Sequence, residues 1–416
     1  MGLERRVVLA NCGLIDPESF EEAVGAGAYA ALARVLEEGM SPEGLRELVS
    51  RSGLRGRGGA GFPTGRKWSL VAPGPDKYVV CNADEGEPGT FKDRLIMEGD
   101  PHRLIEGIAL AAYAIGAEKG FMYIRGEYRL AIRRLGLAIQ QAREHGLLGE
   151  RILGTDFSFE LEIKVGAGSY VCGEETALLE SIEGKRGFPR LKPPYPGERG
   201  LWGRPTVVNN VETLANIPPI VLQGPDWFRS LGTPDSPGTK VFTLSGRVAR
   251  PGAVEAEMGI TLRELIYDYG GGPQSAFKAA LVGGAAGAFL GPDELDVPLD
   301  FDSLREQGAV LGSGAVLVLG EGDPLLPVLQ SILHFFRHES CGQCIPCRLG
   351  TGRLVEIADR LAAGEGREGD IELMLELADL MRKTSLCPLG QSPYLAIRSA
   401  WDRFPDELRA AVGTKG

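Results

Sequence analysis

The sequence predicts a multidomain α/β fold: a mostly parallel sheet with crossover helices, a small β-rich domain, then a helical bundle. Three observations carry this reading. Strand-like and helical segments alternate from Lys77 to Gly184, the pattern of parallel strands joined by helices. A hairpin, a short helix and further strand-like runs fill residues 240–319. From Pro324 onward the pattern is helical, in roughly four segments. At 416 residues the chain can hold about two to four domains. We expect an N-terminal helical segment over 1–52, the parallel-sheet domain over 53–238, the β-rich domain over 239–323 and the bundle over 324–416.

Taken in order, residues 18–52 read as helical. "FEEAVGAGAYAALARVLEEG" is followed by "SPEGLRELVSRSG", which opens on Ser41-Pro42 with Glu43 in its first turn. "KYVVCN" (Lys77 to Asn82) reads as a strand, and Phe91 to Gly116 as one helical run. Strands are expected at "GFMYIRG" and "FELEIKVGAG", with helices at "RLAIRRLGLAIQQAREHG" and "EETALLESIEG". "TPDSPGTK", ending at Lys240, has the composition of a boundary. Beyond it comes a hairpin with Pro251-Gly252 at its turn, then a capping box at Thr261 and Glu264. Strand-like runs lie near Ala279 to Val282 and Ala315 to Leu319, an order that suggests a β-grasp-like domain.

Composition narrows the function classes. The chain is 43% hydrophobic and 24% charged, as globular proteins are. Its net charge of -11 argues against a nucleic-acid partner, which demands a basic surface. The longest apolar stretch, Leu104 to Ala117, is too short to span a bilayer and contains Glu106. No leader pattern is visible at the start. A cytoplasmic chain is expected, able to reach a membrane only through a protein partner.

"GLRGRGGAGFPTGRKW" (Gly53 to Trp68) contains G-x-G-x-x-G at Gly56, Gly58 and Gly61. A dinucleotide fingerprint must lie between a strand and the helix it opens. This run follows a helical segment, and Pro63 interrupts its downstream side. The ordinary Rossmann reading is therefore rejected in favour of a loop whose bare backbone lies against a flat or charged ligand, with Arg57 and Lys67 nearby.

Cys341, Cys344 and Cys347 stand at two-residue gaps, and Cys387, trailed by Pro388, follows far along the chain. Three cysteines so spaced, with a fourth before proline, favour an iron–sulfur cubane over structural zinc, which more often uses two separated pairs. Cys12, Cys81 and Cys172 read as ordinary buried thiols, and His338 as a packing residue. Four further loops stay open between ligand contact and plain structure. "NADEGEPG" follows a buried strand and is a ligand loop, an acidic turn or a divalent-metal loop. "YVCGEETALLE" is a ligand loop or a capped helix start. "RPTVVNNVETLANIP" is a phosphate-facing or an empty helix start at Asn209. "RLKPPYPGERGLWG" is a cleft wall or a surface loop.

Together, GLRGRGGAGFPTG, NADEGEPGTFKDR, GAGSYVCGEETAL, RLKPPYP, PTVVNNVETLAN and HESCGQCIPCR…SLCPLG resemble, in this order, the NADH-binding flavoprotein subunit of respiratory complex I, the NADH-quinone oxidoreductase-F family. The resemblance spans about residues 35 to 400. It implies a Rossmann-like FMN domain, a β-grasp-like domain and a bundle carrying a 4Fe–4S cluster. Carried over by motif, Gly56, Arg57, Gly58, Gly59, Lys67, Asn82, Asp84, Glu85, Tyr170, Gly173, Glu174, Asn209, Asn210 and Thr213 would line FMN. Phe62, Glu87, Glu175, Lys192 and Tyr195 would meet NADH, with Phe62 or Tyr195 stacked on adenine. Cys341, Cys344, Cys347 and Cys387 would hold the cluster. Leu70 stands where some relatives carry an aromatic, so one adenine-stacking partner is expected to be missing.

The resemblance further implies hydride transfer from NADH to FMN and single-electron transfer onward. The expected partners are a thioredoxin-like 2Fe–2S subunit and a large iron–sulfur subunit, at the inner face of a bacterial plasma membrane. No side chain is assigned as acid or base, because the hydride chemistry belongs to the cofactor. The rival is the diaphorase subunit of an NAD-linked hydrogenase or formate dehydrogenase, which shares these motifs and often carries fused domains.

Overall fold

The computed structural model of the protein describes residues 4–412. Two compact units make up the chain. One runs to Gly86 and adds Phe91–Val241 and Glu255–Gly259; the other holds Glu87–Thr90, Phe242–Val254 and the chain from Ile260 on.

The first unit opens with α1 (Phe20–Gly25), α2 (Ala30–Glu37) and α3 (Pro42–Ser52). A single helical run was expected over the first two. Gly27 and Tyr29 instead take left-handed backbone angles, φ 94° and 65°, which a right-handed helix cannot contain. Ser41 caps α3 as expected, accepting from the Gly44 N–H. Helix α4 (Thr64–Ser69) follows the glycine-rich loop and precedes β1 (Tyr78–Ala83).

The run Phe91 to Gly116, expected as one helix, is two: α5 (Lys92–Gly99) and α6 (Pro101–Ile115). Asp100 ends the first and caps the second through the Arg103 N–H, and Pro101 has no N–H with which to continue α5. After β2 (Lys119–Arg125), α7 (Arg129–Glu144) and β3 (Glu160–Gly166) come α8 (Glu175–Ile182) and α9 (Pro196–Arg199). Strand β4 (Thr206–Asn210) and helix α10 (Val211–Ala215) follow directly. This strand was missed: its asparagines read as a helix start, whereas Asn209 is still extended and only Asn210 caps α10.

The four strands are parallel in the order β3-β2-β1-β4. The chain moves outward from β1 to β3, then returns to the far side of β1. Strand order thus reverses between β1 and β4, with Asn82 paired in register to Asn210. Open α/β sheets leave a ligand crevice at the carboxyl ends of strands flanking such a reversal. Helices α11 (Ile217–Gln223) and α12 (Pro225–Arg229) complete this part of the chain. The N-terminal segment is stitched in by the buried Glu255 carboxylate, which accepts from the Val7, Val8 and Leu9 N–H groups.

The second sheet holds β5 (Thr239–Gly246), β6 (Gly252–Glu257), β7 (Phe277–Val282), β8 (Ala288–Leu290) and β9 (Ala315–Gly320), in the order β6-β5-β9-β7-β8. It is mixed: β5 and β9 run parallel, while β7 is antiparallel to both β8 and β9. Helix α13 (Leu262–Glu264) carries the expected capping box at Thr261 and Glu264, and α14 (Phe301–Glu306) precedes β9. The bundle comprises α15 (Leu325–Glu339), α16 (Ile345–Ala362), α17 (Asp370–Thr384), α18 (Pro388–Gln391), α19 (Pro393–Arg403) and α20 (Pro405–Ala410). Among the described residues no helix is long and apolar enough to cross a membrane.

Candidate active site

The glycine-rich loop joins α3 to α4 and closes on itself. The Gly56 N–H donates to Phe62 O at 2.9 Å and the Thr64 N–H to Leu54 O at 2.8 Å. Gly59 and Gly61, at φ 130° and 63°, make the turns that side-chain-bearing residues resist. Arg57 narrows its expected role. Its guanidinium is fully buried and donates to the carbonyls of Thr239, Pro237 and Arg55, so it anchors the loop. Burial lowers its pKa to about 10. The Arg57 backbone N–H donates to Thr213 Oγ1 at 2.8 Å, tying the loop to α10. Gly58 lies against Asn210, where a Cβ would come within 3.0 Å of the Asn210 Cβ.

The sheet brings the expected asparagines to the reversal point. Asn82 Nδ2 donates to Gly173 O at 2.8 Å, and its Oδ1 accepts from the Asp84 N–H. Gly173 packs beside Asp84, and Gly86 beside the ring of Tyr170. The Asn209 Oδ1 accepts from Trp68 Nε1 at 2.8 Å. Both ends of the Asn210 carboxamide are engaged: Nδ2 donates to Asp93 Oδ2 at 2.7 Å, and Oδ1 accepts from Lys92 Nζ and the Glu212 N–H.

Charged groups line the same region. Lys67 Nζ donates to Val208 O at 2.7 Å and Glu175 Oε2 at 2.9 Å. Lys192 Nζ lies 2.8 Å from both Glu174 Oε1 and Glu175 Oε1. Burial pushes the Glu175 carboxyl up, but Lys67 and Lys192 outweigh it and hold the pKa at about 2. Glu174 also caps α8 through the Thr176 and Ala177 N–H groups. Glu85 is a capping residue too, accepting from the Asp93 and Arg94 N–H groups and the Tyr128 hydroxyl. Burial, then the neighbouring Asp93, raise its pKa to about 7. Phe62 and Tyr195 expose 44% and 57% of their surface, with the Arg66 guanidinium 5.9 Å from the centre of the Phe62 ring; Leu70 is exposed as well. Glu87 belongs to the second unit, where its Oε1 accepts from the Ala286 N–H.

The four cysteines lie in the second unit, Cys341 in the loop after α15 and the other three at helix starts. Cys344 is the residue before α16, and Cys347 lies in its first turn. Cys387 immediately precedes α18, whose Gly390 packs on the Cys347 Cβ. This contact brings the distant fourth cysteine back to the first three. Burial pushes the Cys347 thiol up to about 11, and Cys344 and Cys341 add to that rise. Among the described residues no three Cys, His, Asp or Glu side chains crowd closely enough to share one ion. A four-iron cubane is wider than one ion and holds its thiolates further apart, so an all-cysteine set at this spacing fits it. Cys81 and Cys172 are buried and Cys12 half-buried.

Sequence reasoning missed Trp68, Lys92, Asp93, Arg125 and Lys240. Lys92 and Asp93 are buried side by side, and their salt bridge continues to Glu212 and Lys240. The Arg125 guanidinium holds the Glu85 carbonyl. Nothing in the spacing of these residues marks them; each acquires its partner only through the fold.

Comparison with known proteins bears on the domains of the chain rather than on single residues. Residues 49–219 match the Nuo51 FMN-binding domain family, 241–284 the SLBB domain and 327–411 the NADH-ubiquinone oxidoreductase-F iron-sulfur binding region. The NADH-quinone oxidoreductase-F 2 protein of Rhizobium meliloti is 50% identical over 98% of this chain and 97% of its own length. The NADP-reducing hydrogenase subunit HndC of Solidesulfovibrio fructosivorans is also 50% identical, over 99% and 84%. The NAD+-reducing NiFe hydrogenase, solved in its H2-reduced state, superposes with a TM-score of 0.86 at 38% identity, covering 98% of this chain and 67% of that one. With an FMN-binding domain in its first unit and a 4Fe–4S region in its second, the chain belongs to the NADH-quinone oxidoreductase-F family of oxidoreductase flavoproteins.

Proposed function

We propose that this chain is the NADH-oxidising subunit of a respiratory complex I, at the cytoplasmic face of the membrane. The carrying observation is the reversal point of the parallel sheet: strand ends, glycine loop and Lys67 meet there on a chain that also bears the four cysteines. The near-complete coverage of the Rhizobium meliloti relative supports the same reading. Flavin, when bound, takes two electrons as hydride from NADH and returns them singly, and the cubane carries single electrons.

The chain's own residues bind and orient. The glycine loop offers bare backbone to a flat ring system, with Gly56, Gly58, Gly59 and the Arg57 backbone along it. Asn82, Asp84, Tyr170, Gly173, Glu174 and the β4–α10 residues Asn209, Asn210 and Thr213 complete the flavin crevice. Glu175, ionised at every physiological pH, accepts hydrogen bonds from the nicotinamide or ribose. Lys192 turns to the dinucleotide phosphates, Phe62 or Tyr195 stacks on adenine, and Glu87 positions nicotinamide. Cys341, Cys344, Cys347 and Cys387 hold the cluster. Electrons then pass to a thioredoxin-like 2Fe–2S subunit and a large iron–sulfur subunit. The four-part domain division, 1–52, 53–238, 239–323 and 324–416, belongs to the same proposal.

A second reading, diaphorase of an NAD(P)-linked hydrogenase, is favoured by the match to HndC and the superposition on the NiFe hydrogenase. Purification with neighbouring subunits decides between them. Complex I membership requires NADH-dependent quinone reduction without hydrogen uptake. Hydrogen-dependent reduction of NAD(P)+ by the same preparation favours the second reading. Either requires FMN-dependent reduction of ferricyanide by NADH.

A further inference from the structure

Four charged side chains are buried together beneath the end of β4. Lys92 Nζ lies 2.7 Å from Asp93 Oδ1 and 2.9 Å from Glu212 Oε2; Lys240 Nζ lies 2.6 Å from the same Glu212 oxygen. All four are at most 3% exposed. The group links three elements. Asp93 sits in the first turn of α5, Glu212 in the first turn of α10, and Glu212 Oε1 receives the Val241 N–H of β5. Buried ion networks are poor stabilisers compared with apolar packing of equal volume; where they serve a purpose beyond stability, it is to impose one arrangement. Here the arrangement imposed is that of Asn210. Its Nδ2 can only face the acceptor Asp93, and its Oδ1 only the donors Lys92 Nζ and Glu212 N–H. Asn210 is in turn the surface on which Gly58 rests.

We propose that Lys92 and Asp93 are positioning residues of the flavin crevice. They lock the Asn210 carboxamide in one orientation, and through it set the height of the glycine-rich loop over the sheet. The inference rests on the FMN-binding assignment but not on which complex the chain serves.

Swapping the polarity of one hydrogen bond tests it. Asp93→Asn preserves shape but sets an amide N–H2 against the Asn210 N–H2. The double variant Asp93→Asn with Asn210→Asp restores donor to acceptor and conserves the total charge. FMN affinity is read by fluorescence quenching on flavin-stripped protein, with a thermal melt of each variant as the fold control. The single variant is expected to bind FMN about ten- to hundredfold more weakly, as for one buried hydrogen bond left unmade. Because Asn210 itself lines the crevice, the double variant is read against the single one, and it is expected to bind FMN at least about threefold more tightly than Asp93→Asn alone. A single variant that does not fold, beside a double variant that folds and binds, supports the proposal equally. Undiminished affinity in the single variant overturns it, as does equal loss in both. Collapse of both folds makes the network a packing device and also overturns it. Wild-type protein that fails to rebind FMN refutes the cofactor assignment instead.

Discussion

Arg57 lies fully buried with its guanidinium on three backbone carbonyls. No other side chain offers so many fixed donors in one plane. Arg57→Met strands those acceptors in the interior and is expected to cost about 3–5 kcal/mol, read by urea denaturation. Arg57→Lys should recover part of that, because a single ammonium cannot reach all three carbonyls. Equal stability of all three proteins would refute the anchoring role. Glu106 gives a pH signature. Its buried Oε1 accepts from the Ala31 and Leu32 N–H groups, and burial raises its pKa to about 7. The folded state therefore holds this proton more tightly than the unfolded chain, whose glutamates titrate near about 4.3. Its contribution to stability is complete below that value and is lost as pH rises through about 7. Glu106→Gln keeps the accepting oxygen, so it should flatten the fall in unfolding free energy between about pH 5 and 8 by about 3 kcal/mol. Parallel stability curves for the two proteins would rule this out. At this scale the sequence speaks through spacing. The G-x-G-x-x-G of Gly56 to Gly61 was rightly denied a Rossmann context, since α3 precedes it. The burial of Arg57 was invisible, because its acceptors lie up to 182 residues away.

Elements were legible where side-chain period and caps agree, as at Ser41 for α3 or Thr261 for α13. They were misread where one residue type serves two structures. Asn209 and Asn210 look alike in sequence, yet Asn209 lies within a strand, whereas Asn210 ends that strand and caps the helix after it. Gly107 shows a constraint that no pattern reveals. It lies within α6, where a Cβ would drive into the Leu214 carbonyl of α10. The two helices can cross so closely only because that side chain is missing. Gly107→Ala favours an isolated helix, but here it should push α10 outward, carrying Glu212 and Thr213 with it. Destabilisation by about 1–3 kcal/mol is expected, together with weaker FMN retention on gel filtration. A more stable variant with unchanged flavin content would show that the crossing relaxes freely.

On the scale of the whole molecule, the two proposed redox centres draw on different parts of the chain. The glycine loop, Lys67, Asn82, Asn209, Asn210 and Glu175 belong to the first unit, and the four cysteines to the second. The reversal point is a product of strand order, which sequence pattern alone did not give because β4 went unseen; the cysteine spacing on which the proposed cluster rests was legible because it is written in the chain itself. Separate supports make separate loss possible. Cys344→Ala removes one thiolate at the start of α16 while leaving the hydrogen bonds of Lys67, Asn82 and Asn209 untouched. The variant is expected to lose the reduced-cluster signal in electron paramagnetic resonance and its quinone-reductase activity. NADH should still bleach the visible absorption of its flavin in a single turnover, with FMN content near one per chain. Loss of bleaching in a variant that still holds FMN would mean that hydride uptake depends on the cluster, and the separation of the two centres would be wrong.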